Sequence, residues 1–499
     1  MQALLGTAGA AACGSASALA GSQDWNVLVL CSDEHNADVL GVEGHPDAYT
    51  PNLDRLAGQG MMLNRCYVAS PVCAPTRQSW LTGLHPSEHG QLSNMHVFDP
   101  RNATLMHAFQ DAGFETACFG KLHTQSGTEV DGAFGFDTLL NHHSARWAEV
   151  RSSYRDRVLG TYSTSSAEAA DWANMPFSGF TGRAYQDPAL VPDWVLTQEA
   201  AGFLGQTRTS PFLCYLSLRA PHYPFWLPDD FYGLTDPASV SMPVVQPGDL
   251  DDSLAGQRSR DSHRWDLMTE AQHRLVRARY LDSVSFMDEM MGQMLDELDR
   301  LGLAENTIVL YLSDHGEMMG EKGLWLKHVP FQAASRKPAI LRMPGVIPPA
   351  TRANQLVSEV DILPTLLGLA GKGTAVPGGL SGRDLSQTVL LEAAGVPQTT
   401  WARSYGVRGR EVCFGSDFFG TDDTPWMSTA TDGRHNFVRY ETDAGKVTYE
   451  LYDLQEDPSE ETSVADDPAY AGVLDELDTR ILEHQAGLVL PEFPPLLKA

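Results

Sequence analysis

The stretch "NVLVLCSDEH", Asn26 to His35, decides the fold of the main domain. Its residues Val27 to Cys31 are an uninterrupted apolar run, which is typical of a strand covered on both faces in a parallel sheet. Two carboxylates, Asp33 and Glu34, follow directly. Because ligands of such sheets bind outside the carboxyl ends of the strands, acidic residues at this position predict a functional site.

Three further stretches repeat this pattern of an apolar run that ends on chemically active side chains. "FETACFGKLH" ends on Lys121 and His123, "PFLCYLSLRAPH" ends on His222, and "NTIVLYLSDHGE" leads into Asp314 and His315. Between them lie helical patterns. We therefore expect an α/β fold with a large, mostly parallel sheet sandwiched by helices, and all four strand ends at one edge of it.

The helices between the strands are well marked in the sequence. "YTPNLDRLAGQG" places Thr50 before a helix, Pro51 at its first position and Gly60 after its end. Apolar residues spaced by three and four predict a long amphipathic helix over roughly 270–301. Its methionine-rich stripe is interpreted as core packing.

The texture of the chain changes after about residue 375. "GKGTAVPGGLSGRD" is a glycine-rich connection. In "STATDGRHNFVRYE" and "KVTYELYDL" apolar and polar residues alternate, which predicts short strands. A last helix, "YAGVLDELDTRILEHQ", follows them. These patterns predict a smaller C-terminal antiparallel α+β domain. We divide the chain into an N-terminal segment 1–21, a catalytic domain 22–375 and a C-terminal domain 376–499.

The N-terminal segment is rich in small apolar residues, and Ala18-Leu19-Ala20 is typical of a signal-peptidase site, although no basic leader precedes it. We interpret it as a remnant export signal and expect a periplasmic or exported protein; a disordered tail on a cytoplasmic protein is the alternative. No run of eighteen apolar residues occurs, so a membrane span is not expected.

The net charge is −29, from 35 basic and 64 acidic residues. This balance argues against a nucleic-acid binder, which needs a basic surface. An anionic substrate would need a local cationic pocket. The chain has seven cysteines and no Cys-x-x-Cys pair, which argues against a disulfide framework and a zinc–cysteine site.

The acidic strand ends suit a metal ion. Asp33, Glu34, Asp314 and His315 offer three carboxylates and one imidazole. Carboxylate oxygens prefer hard divalent cations such as Ca²⁺ or Mg²⁺, and an imidazole shifts the preference toward Mn²⁺. The alternative is a set of hydrogen-bonded strand-end acids without a metal.

The stretch "ASPVCAPTRQSWLTG", residues 69–83, places Cys73 at the start of a helix and one turn before Arg77. Helix N–H groups and a nearby cation lower the pKa of a thiol and make it reactive. An inert core cysteine and a plain thiol nucleophile are the alternatives. Thiol phosphatases, however, have five residues between cysteine and arginine, whereas three stand here.

The pattern Cys-x-Pro-x-Arg resembles that of the sulfatase family, in which this cysteine becomes formylglycine, an aldehyde that hydrates to a gem-diol. Other blocks resemble the family in the same order, from about residue 25 to about 485. They are "DEHNADVLG", "TPNLDRLAGQGMMLNRCYVASPVCAPTRQSWLTGLHP", "GKLH", "APHYPF", "SDHGEMMGEKGLWLKH" and "YELYDLQEDPSEETS".

The resemblance implies an alkaline phosphatase-like fold, a formylglycine made from Cys73, and one divalent metal ion, with Ca²⁺ expected first and Mn²⁺ or Mg²⁺ as alternatives. It implies three groups of site residues. The metal ligands would be Asp33, Glu34, Cys73, Asp314 and His315. The catalytic residues would be Cys73, Arg77, Lys121, His123, His222 and Lys327. The substrate-binding residues would be Asn94, Lys121, His222 and Lys327.

The activity implied is hydrolysis of an organic sulfate monoester, small or carbohydrate, to an alcohol and sulfate. Transient contact with a formylglycine-generating enzyme is implied as well, and a homo-oligomer stays open. A histidine at position 315, where many arylsulfatases have asparagine, resembles the choline-sulfatase and phosphonate monoester hydrolase branch. A phosphonate monoester or phosphodiester hydrolase is the closest alternative, but such members usually lack the "GKLH" block. An inactive metal-binding protein that recognises sulfated ligands is the alternative from another class.

Overall fold

The computed structural model describes residues 24–124, 134–141, 162–163, 168, 172–405, 407–417, 426–442 and 445–488. The predicted N-terminal segment 1–21 lies outside these described residues.

Sixteen strands occur in the described part of the chain. In chain order they are β1 Asn26–Asp33, β2 Met61–Tyr67, β3 Glu115–Gly120, β4 Thr138–Leu140, β5 Tyr162–Ser163, β6 Gly182–Tyr185, β7 Phe212–Pro221, β8 Phe225–Pro228, β9 Thr307–Ser313, β10 Arg336–Lys337, β11 Ala339–Arg342, β12 Thr351–Ser358, β13 Cys413–Asp417, β14 Trp426–Thr431, β15 His435–Glu441 and β16 Val447–Asp453.

The α-helices of the same part are α1 Pro51–Gln59, α2 Cys73–Thr82, α3 Pro86–His89, α4 Leu105–Asp111, α5 Pro192–Leu204, α6 Leu254–His263, α7 Glu270–Arg300, α8 Gln332–Ser335, α9 Ile362–Leu369, α10 Ser386–Ala393, α11 Gln398–Thr400 and α12 Ala471–Gly487. The predicted helices beginning at Pro51 and near residue 270 are confirmed, and Met287, Met291 and Met294 of α7 are buried core residues.

Nine strands form the large sheet in the order β10-β2-β11-β9-β1-β7-β3-β4, with β12 beside β2. The pairs β9–β1, β1–β7, β7–β3, β3–β4 and β2–β12 are parallel, whereas β11 runs antiparallel to both β9 and β2. Both faces carry buried side chains from helices. The predicted α/β class with a mostly parallel sheet is confirmed.

The C-terminal sheet is an antiparallel meander in the order β13-β14-β15-β16. Val438 and Tyr440 on one face belong to the core of the large sheet, and Phe437 on the other face packs with Leu477 and Ile481 of α12. This separate sheet confirms the predicted α+β character of the C-terminal region. The boundary between residues 375 and 376 stays a prediction.

The order of the central strands positions the site. β9, β1, β7 and β3 are neighbours and run in the same direction, so their carboxyl ends meet at one edge. β2 has the same direction, because it and β9 are both antiparallel to β11, and α2 follows its carboxyl end. We call this the catalytic edge. None of the described helices is long and apolar enough to cross a bilayer.

Candidate active site

The catalytic edge brings together the acidic residues at the carboxyl ends of β1 and β9. Asp33, Asp314 and His315 are fully buried, and Asp314 Oδ1 accepts hydrogen bonds from the backbone N–H groups of Glu34 at 2.9 Å and His315 at 2.8 Å. His315 Nδ1 lies 2.8 Å from the carbonyl oxygen of Gly316, so Nε2 is the atom that faces the cluster. These bonds fix the side chains before any ligand arrives.

Cys73 opens α2 within this cluster, because β2 delivers the chain to the same edge. Its sulfur lies 3.0 Å from His315 Nε2 and 3.8 Å from Asp33 Oδ1, and the residue is 1% exposed. Burial opposes ionisation of the thiol, but Lys121, Lys327 and His315 outweigh it and hold its pKa well below the usual range. Of the predicted interpretations of Cys73, an inert core thiol does not fit these surroundings.

Arg77 extends from the next turn of α2 beneath Cys73 and is fully buried. Its Nε donates to Asp314 Oδ2 at 2.9 Å, and one terminal nitrogen donates to Ser217 Oγ at 2.7 Å. The other terminal nitrogen lies 3.8 Å from Asp33 Oδ2 and makes no hydrogen bond within the described residues. Arg77 therefore links α2 to the strand ends, and one of its terminal nitrogens remains available to donate a hydrogen bond to a ligand.

Lys121 and His123 follow β3 and approach Cys73 from the other side. The ammonium of Lys121 pairs with Asp33 Oδ2, which turns Oδ1 of that carboxylate toward the sulfur. His123 is hydrogen-bonded to Cys73, and burial together with Lys121 lowers the pKa of its imidazole. Its Nδ1 has no hydrogen-bond partner among the described residues.

His222 and Lys327 meet on Glu34. Lys327 Nζ lies 3.0 Å from Glu34 Oε1, and His222 Nε2 lies 3.3 Å from Oε2. Neither approach has hydrogen-bond geometry, although Glu34 and Lys327 are almost fully buried. Burial raises the pKa of Glu34 to about 8 against the opposing effects of Lys327 and His222. These groups are held close but are not satisfied by one another.

Asn94 reaches the amino terminus of α2, where its Oδ1 accepts the backbone N–H of Ala74 at 2.9 Å. The predicted substrate-binding position is therefore next to Cys73, and the same oxygen also stabilises the start of the helix. Every site residue predicted from the sequence lies at the catalytic edge.

Several site backbones are left-handed at non-glycine residues. Glu34 has a φ of 69° and His123 a φ of 60°, and Lys327 is flanked by Leu326 and His328, each with a φ of 68°. Such conformations cost free energy and persist only where the surroundings enforce them, as they do at functional sites. They aim these side chains inward from the ends of their strands and loops.

The sequence-based analysis missed a buried support beneath α2. Glu359 follows β12; it accepts the backbone N–H of Ala69 at 2.7 Å and the hydroxyl of Thr76, and it pairs with Lys337 at 3.0 Å. Ser217, the partner of Arg77, was missed as well. Glu359 carries the same signal as Asp33, a carboxylate directly after a strand, which was not followed that far along the chain.

The donor set fits a hard divalent cation. Ligand atoms of Asp33, Cys73, Asp314 and His315 all lie within 4.8 Å of one another, and all four residues are buried. A second group, Asp33, Glu34 and His222, also meets this spacing. Two carboxylates converging with one imidazole are the donor types that such a cation binds.

Comparison with known proteins gives the family. The sulfatase profile matches residues 25–372, and a profile described as N-sulphoglucosamine sulphohydrolase, C-terminal, matches residues 320–487. An arylsulfatase of Clostridium perfringens is 25% identical over 490 residues, which are 93% of this chain and 94% of the relative. A choline-sulfatase of Rhizobium meliloti is 26% identical over 467 residues, or 89% and 83% of the two chains.

Solved structures share the fold. The phosphonate monoester hydrolase of Agrobacterium radiobacter superposes with a TM-score of 0.73 at 23% identity and covers 93% of this chain and 95% of its own. In this chain, buried carboxylates, a buried guanidinium and a buried thiol meet at the ends of parallel strands. The chain belongs to the sulfatase family, and its class is that of the sulfuric ester hydrolases.

Proposed function

We propose that this protein is a formylglycine-dependent sulfatase that hydrolyses an organic sulfate monoester to an alcohol and inorganic sulfate with the help of one divalent metal ion. The observation that carries the proposal is the position of Cys73. It opens a helix inside a buried cluster that joins two carboxylates to Arg77, Lys121 and Lys327.

Asp33, Asp314, His315 and the modified residue 73 would hold the metal ion, with Ca²⁺ as the first choice, and Glu34 is the adjoining acid. Bound there, a divalent cation supplies positive charge that stabilises the oxygens of a sulfate group as an alcohol leaves. Converted to formylglycine and hydrated, residue 73 supplies two hydroxyls, one to attack sulfur and one to lose the proton that lets the aldehyde re-form.

The remaining side chains have roles that follow from their contacts. Lys121, directly after β3, and Lys327, in the loop between β9 and α8, would bring ammonium groups to the sulfate and neutralise its charge. Arg77 holds residue 73 through α2 and keeps one buried terminal nitrogen without a hydrogen bond. Asn94 stands beside the same helix start and would contact the sulfate through its amide.

Two histidines are placed to move protons. His123 contacts Cys73, its pKa is lowered by burial and Lys121, and its Nδ1 is unpartnered within the described residues. It is therefore suited to take the proton of the second hydroxyl. His222, on the Glu34 side, is suited with Lys327 to assist the departing oxygen.

A phosphonate monoester or phosphodiester hydrolase is the second candidate, supported by the shared fold with the enzyme of Agrobacterium radiobacter. The two functions separate in a comparison of kcat/KM on a sulfate and a phosphonate ester of one phenol. A higher value on the sulfate supports our proposal. An inactive sulfated-ligand binder would show turnover on neither ester.

The compartment is a separate proposal. The small apolar N-terminal segment with Ala18-Leu19-Ala20 supports export to the periplasm or beyond. Amino-terminal sequencing of protein purified from its own host tests it. A mature chain beginning near residue 21 would support export, and an intact amino terminus in the cytoplasmic fraction would contradict it.

The first test of the catalytic proposal is the mass of the tryptic peptide "CYVASPVCAPTR", Cys66 to Arg77, from protein made in its own host. We expect Cys73 to have lost its sulfur and gained an aldehyde oxygen. A plain thiol in protein that still hydrolyses sulfate esters would show that another group is the nucleophile. A plain thiol in inert protein would favour the binding-only alternative.

A further inference from the structure

Partly exposed rings continue outward from the active site on the side of Lys327. The ring centroids of Tyr223 and Phe177 lie 5.2 Å apart, and those of Phe177 and His263 lie 5.6 Å apart. All three side chains are partly exposed. We call Tyr223, Phe177 and His263 the ring wall. The sulfatase chemistry does not use it.

The ring wall begins at the catalytic residues themselves. Tyr223 stacks on His222 with centroids 4.2 Å apart, and Lys327 Nζ lies 5.6 Å from the centroid of the Tyr223 ring. His222 and Lys327 are the two residues that we place at the departing oxygen. The organic group bonded to that oxygen therefore leaves the pocket next to Tyr223.

The wall is rigid because buried residues fix it from behind. Phe177 packs against Phe180 at 5.2 Å and Trp265 at 5.6 Å, and His263 lies parallel to Trp265 at 4.9 Å. At Gly179 a Cβ would come within 2.4 Å of the Phe177 ring and 2.8 Å of the Tyr223 ring. A preformed surface loses little conformational entropy when a ligand binds to it.

The chemistry of the wall suits a ring and not a cation. A quaternary ammonium group binds over the face of an aromatic ring, but one face of Tyr223 carries His222 and its ring already has Lys327 as a cation neighbour. A second positive charge there would be repelled. An uncharged or anionic ring gains stacking and apolar contact without this penalty. The Tyr223 hydroxyl makes no hydrogen bond to other described residues and can bind a polar substituent.

Other aromatic residues near the motifs do not offer such a surface. Phe225 and Trp325 are 2% and 1% exposed and belong to the core. Trp226 has the guanidinium of Arg183 over its ring at 5.3 Å. Unlike Phe225, Trp325 and Trp226, the ring wall both contacts the catalytic residues, through Tyr223, and is partly exposed.

We propose that the ring wall binds the organic part of the ester and selects a ring-bearing, uncharged or anionic group over a quaternary ammonium group, with Tyr223 as the main specificity-determining residue. This inference rests on the proposed sulfatase function. It separates cyclic alcohols and sugars, as sulfate esters, from choline sulfate.

The test compares kcat/KM for sulfate release from cyclohexyl sulfate, choline sulfate and ethyl sulfate, in the wild type, Tyr223→Phe, Tyr223→Ala and His263→Ala. Cyclohexyl and choline sulfates are esters of alcohols of similar size that differ in the two properties in question, the ring and the positive charge. Ethyl sulfate presents the smallest organic group to the wall and reports mainly on the catalytic groups. Tyr49→Ala, an exposed aromatic residue that is 68% exposed, is the matched control.

We expect the wild type to prefer cyclohexyl over choline sulfate by about tenfold or more, the scale of one aromatic contact plus one repelled charge. Tyr223→Ala should lower kcat/KM for cyclohexyl sulfate about tenfold, mainly through KM, and leave ethyl sulfate within about twofold. Tyr223→Phe should keep the preference. His263→Ala should show a smaller loss in the same direction, and Tyr49→Ala no change.

A wild type that prefers choline sulfate would overturn the inference, as would equal losses on cyclohexyl and ethyl sulfate in Tyr223→Ala. Equal losses would mean that Tyr223 only supports His222. Release of sulfate from none of the three esters would instead contradict the sulfatase function itself. Melting temperatures of the variants show whether a general loss of activity reflects unfolding.

Discussion

Two buried glutamate–lysine pairs lie near the catalytic edge, and they differ in how many hydrogen bonds satisfy them. Glu359 and Lys337 are 3.0 Å apart, and Glu359 also accepts hydrogen bonds from Ala69 and Thr76. Glu34 and Lys327 are likewise 3.0 Å apart, but neither meets hydrogen-bond geometry with the other. The distance is the same and the surroundings are not.

The difference separates structure from function. A buried ion pair stabilises a fold when additional hydrogen bonds satisfy its charges, and it is costly when they are missing. Glu359 meets this condition and anchors α2 to the sheet. Glu34 and Lys327 keep polar atoms without hydrogen bonds to other described residues at the point where an anionic substrate would enter. These atoms would therefore be available to bind the substrate.

The largest expected effect separates the nucleophile from the other buried thiols. Cys73→Ala should lower kcat by about 10⁴-fold or more, because the covalent route is lost, and leave the melting temperature close to that of the wild type. Cys214→Ala, at a buried cysteine inside β7, is the control and should keep its activity. Turnover of Cys73→Ala at the wild-type rate would disprove the mechanism.

The second effect compares the same substitution at Lys327 and at Lys337. Lys327→Met should lower kcat/KM about 10²–10³-fold, as expected for loss of one group that stabilises charge in the transition state. Its melting temperature should change little. Lys337→Met should do the reverse and reduce the melting temperature, because Glu359 is left buried without a counter-charge. Two variants with the same profile would break the comparison.

The third effect concerns the two carboxylates. Glu359→Gln should reduce the free energy of unfolding by about 3 kcal/mol, because a satisfied charge and its hydrogen bonds are lost. Glu34→Gln should cost about 1 kcal/mol or less, because the Glu34 carboxyl, with a pKa of about 8, is largely neutral at pH 7 and makes no hydrogen bonds within the described part of the chain. Thermal and urea unfolding of both variants measure this, and a larger loss in Glu34→Gln would refute the distinction.

The smallest effect is a dependence of stability on pH that comes from His89, a buried imidazole whose hydrogen bonds are complete in its neutral form. His89 bonds to Ser79 at 3.1 Å and to the backbone N–H of Gln91 at 3.2 Å, and burial lowers the pKa of its imidazole to about 3. Below pH 6.5 the His89 imidazole is protonated in the unfolded chain but stays neutral in the folded protein. Stability is therefore present above pH 6.5 and is lost on acidification toward pH 3, by about 2 kcal/mol at pH 5.

The control for this effect is His89→Gln, which cannot take up that proton. Its unfolding free energy should be less dependent on pH between 6.5 and 5 than that of the wild type. Parallel pH profiles of the two proteins would show that His89 does not titrate between the two states.

Much of the site was predictable from the sequence because strand direction and strand ends are local signals. An apolar run followed by Asp33, Lys121, His222 or Asp314 marks the carboxyl end of a strand, and parallel neighbours bring those ends together. The motif around Cys73 added the proposed nucleophile. Fold class and site geometry followed from the same few stretches.

The parts that were missed depend on side-chain directions across long separations in the chain. Glu359 meets Ala69 and Thr76 only because β12 pairs beside β2, and Ser217 meets Arg77 through the register of β7. Nor does a sequence show that Glu34 and Lys327 are close yet without hydrogen bonds. Such facts are set by packing rather than by local patterns.

The burial of Cys73 also places the proposed chemistry in time. Cys73 is 1% exposed in the folded protein, so its thiol offers almost no surface on which a second protein could act. If formylglycine is made at this position, it is made while the chain is still open. Under the proposed mechanism, a molecule that folds before this modification would lack its nucleophile even with a metal ion bound.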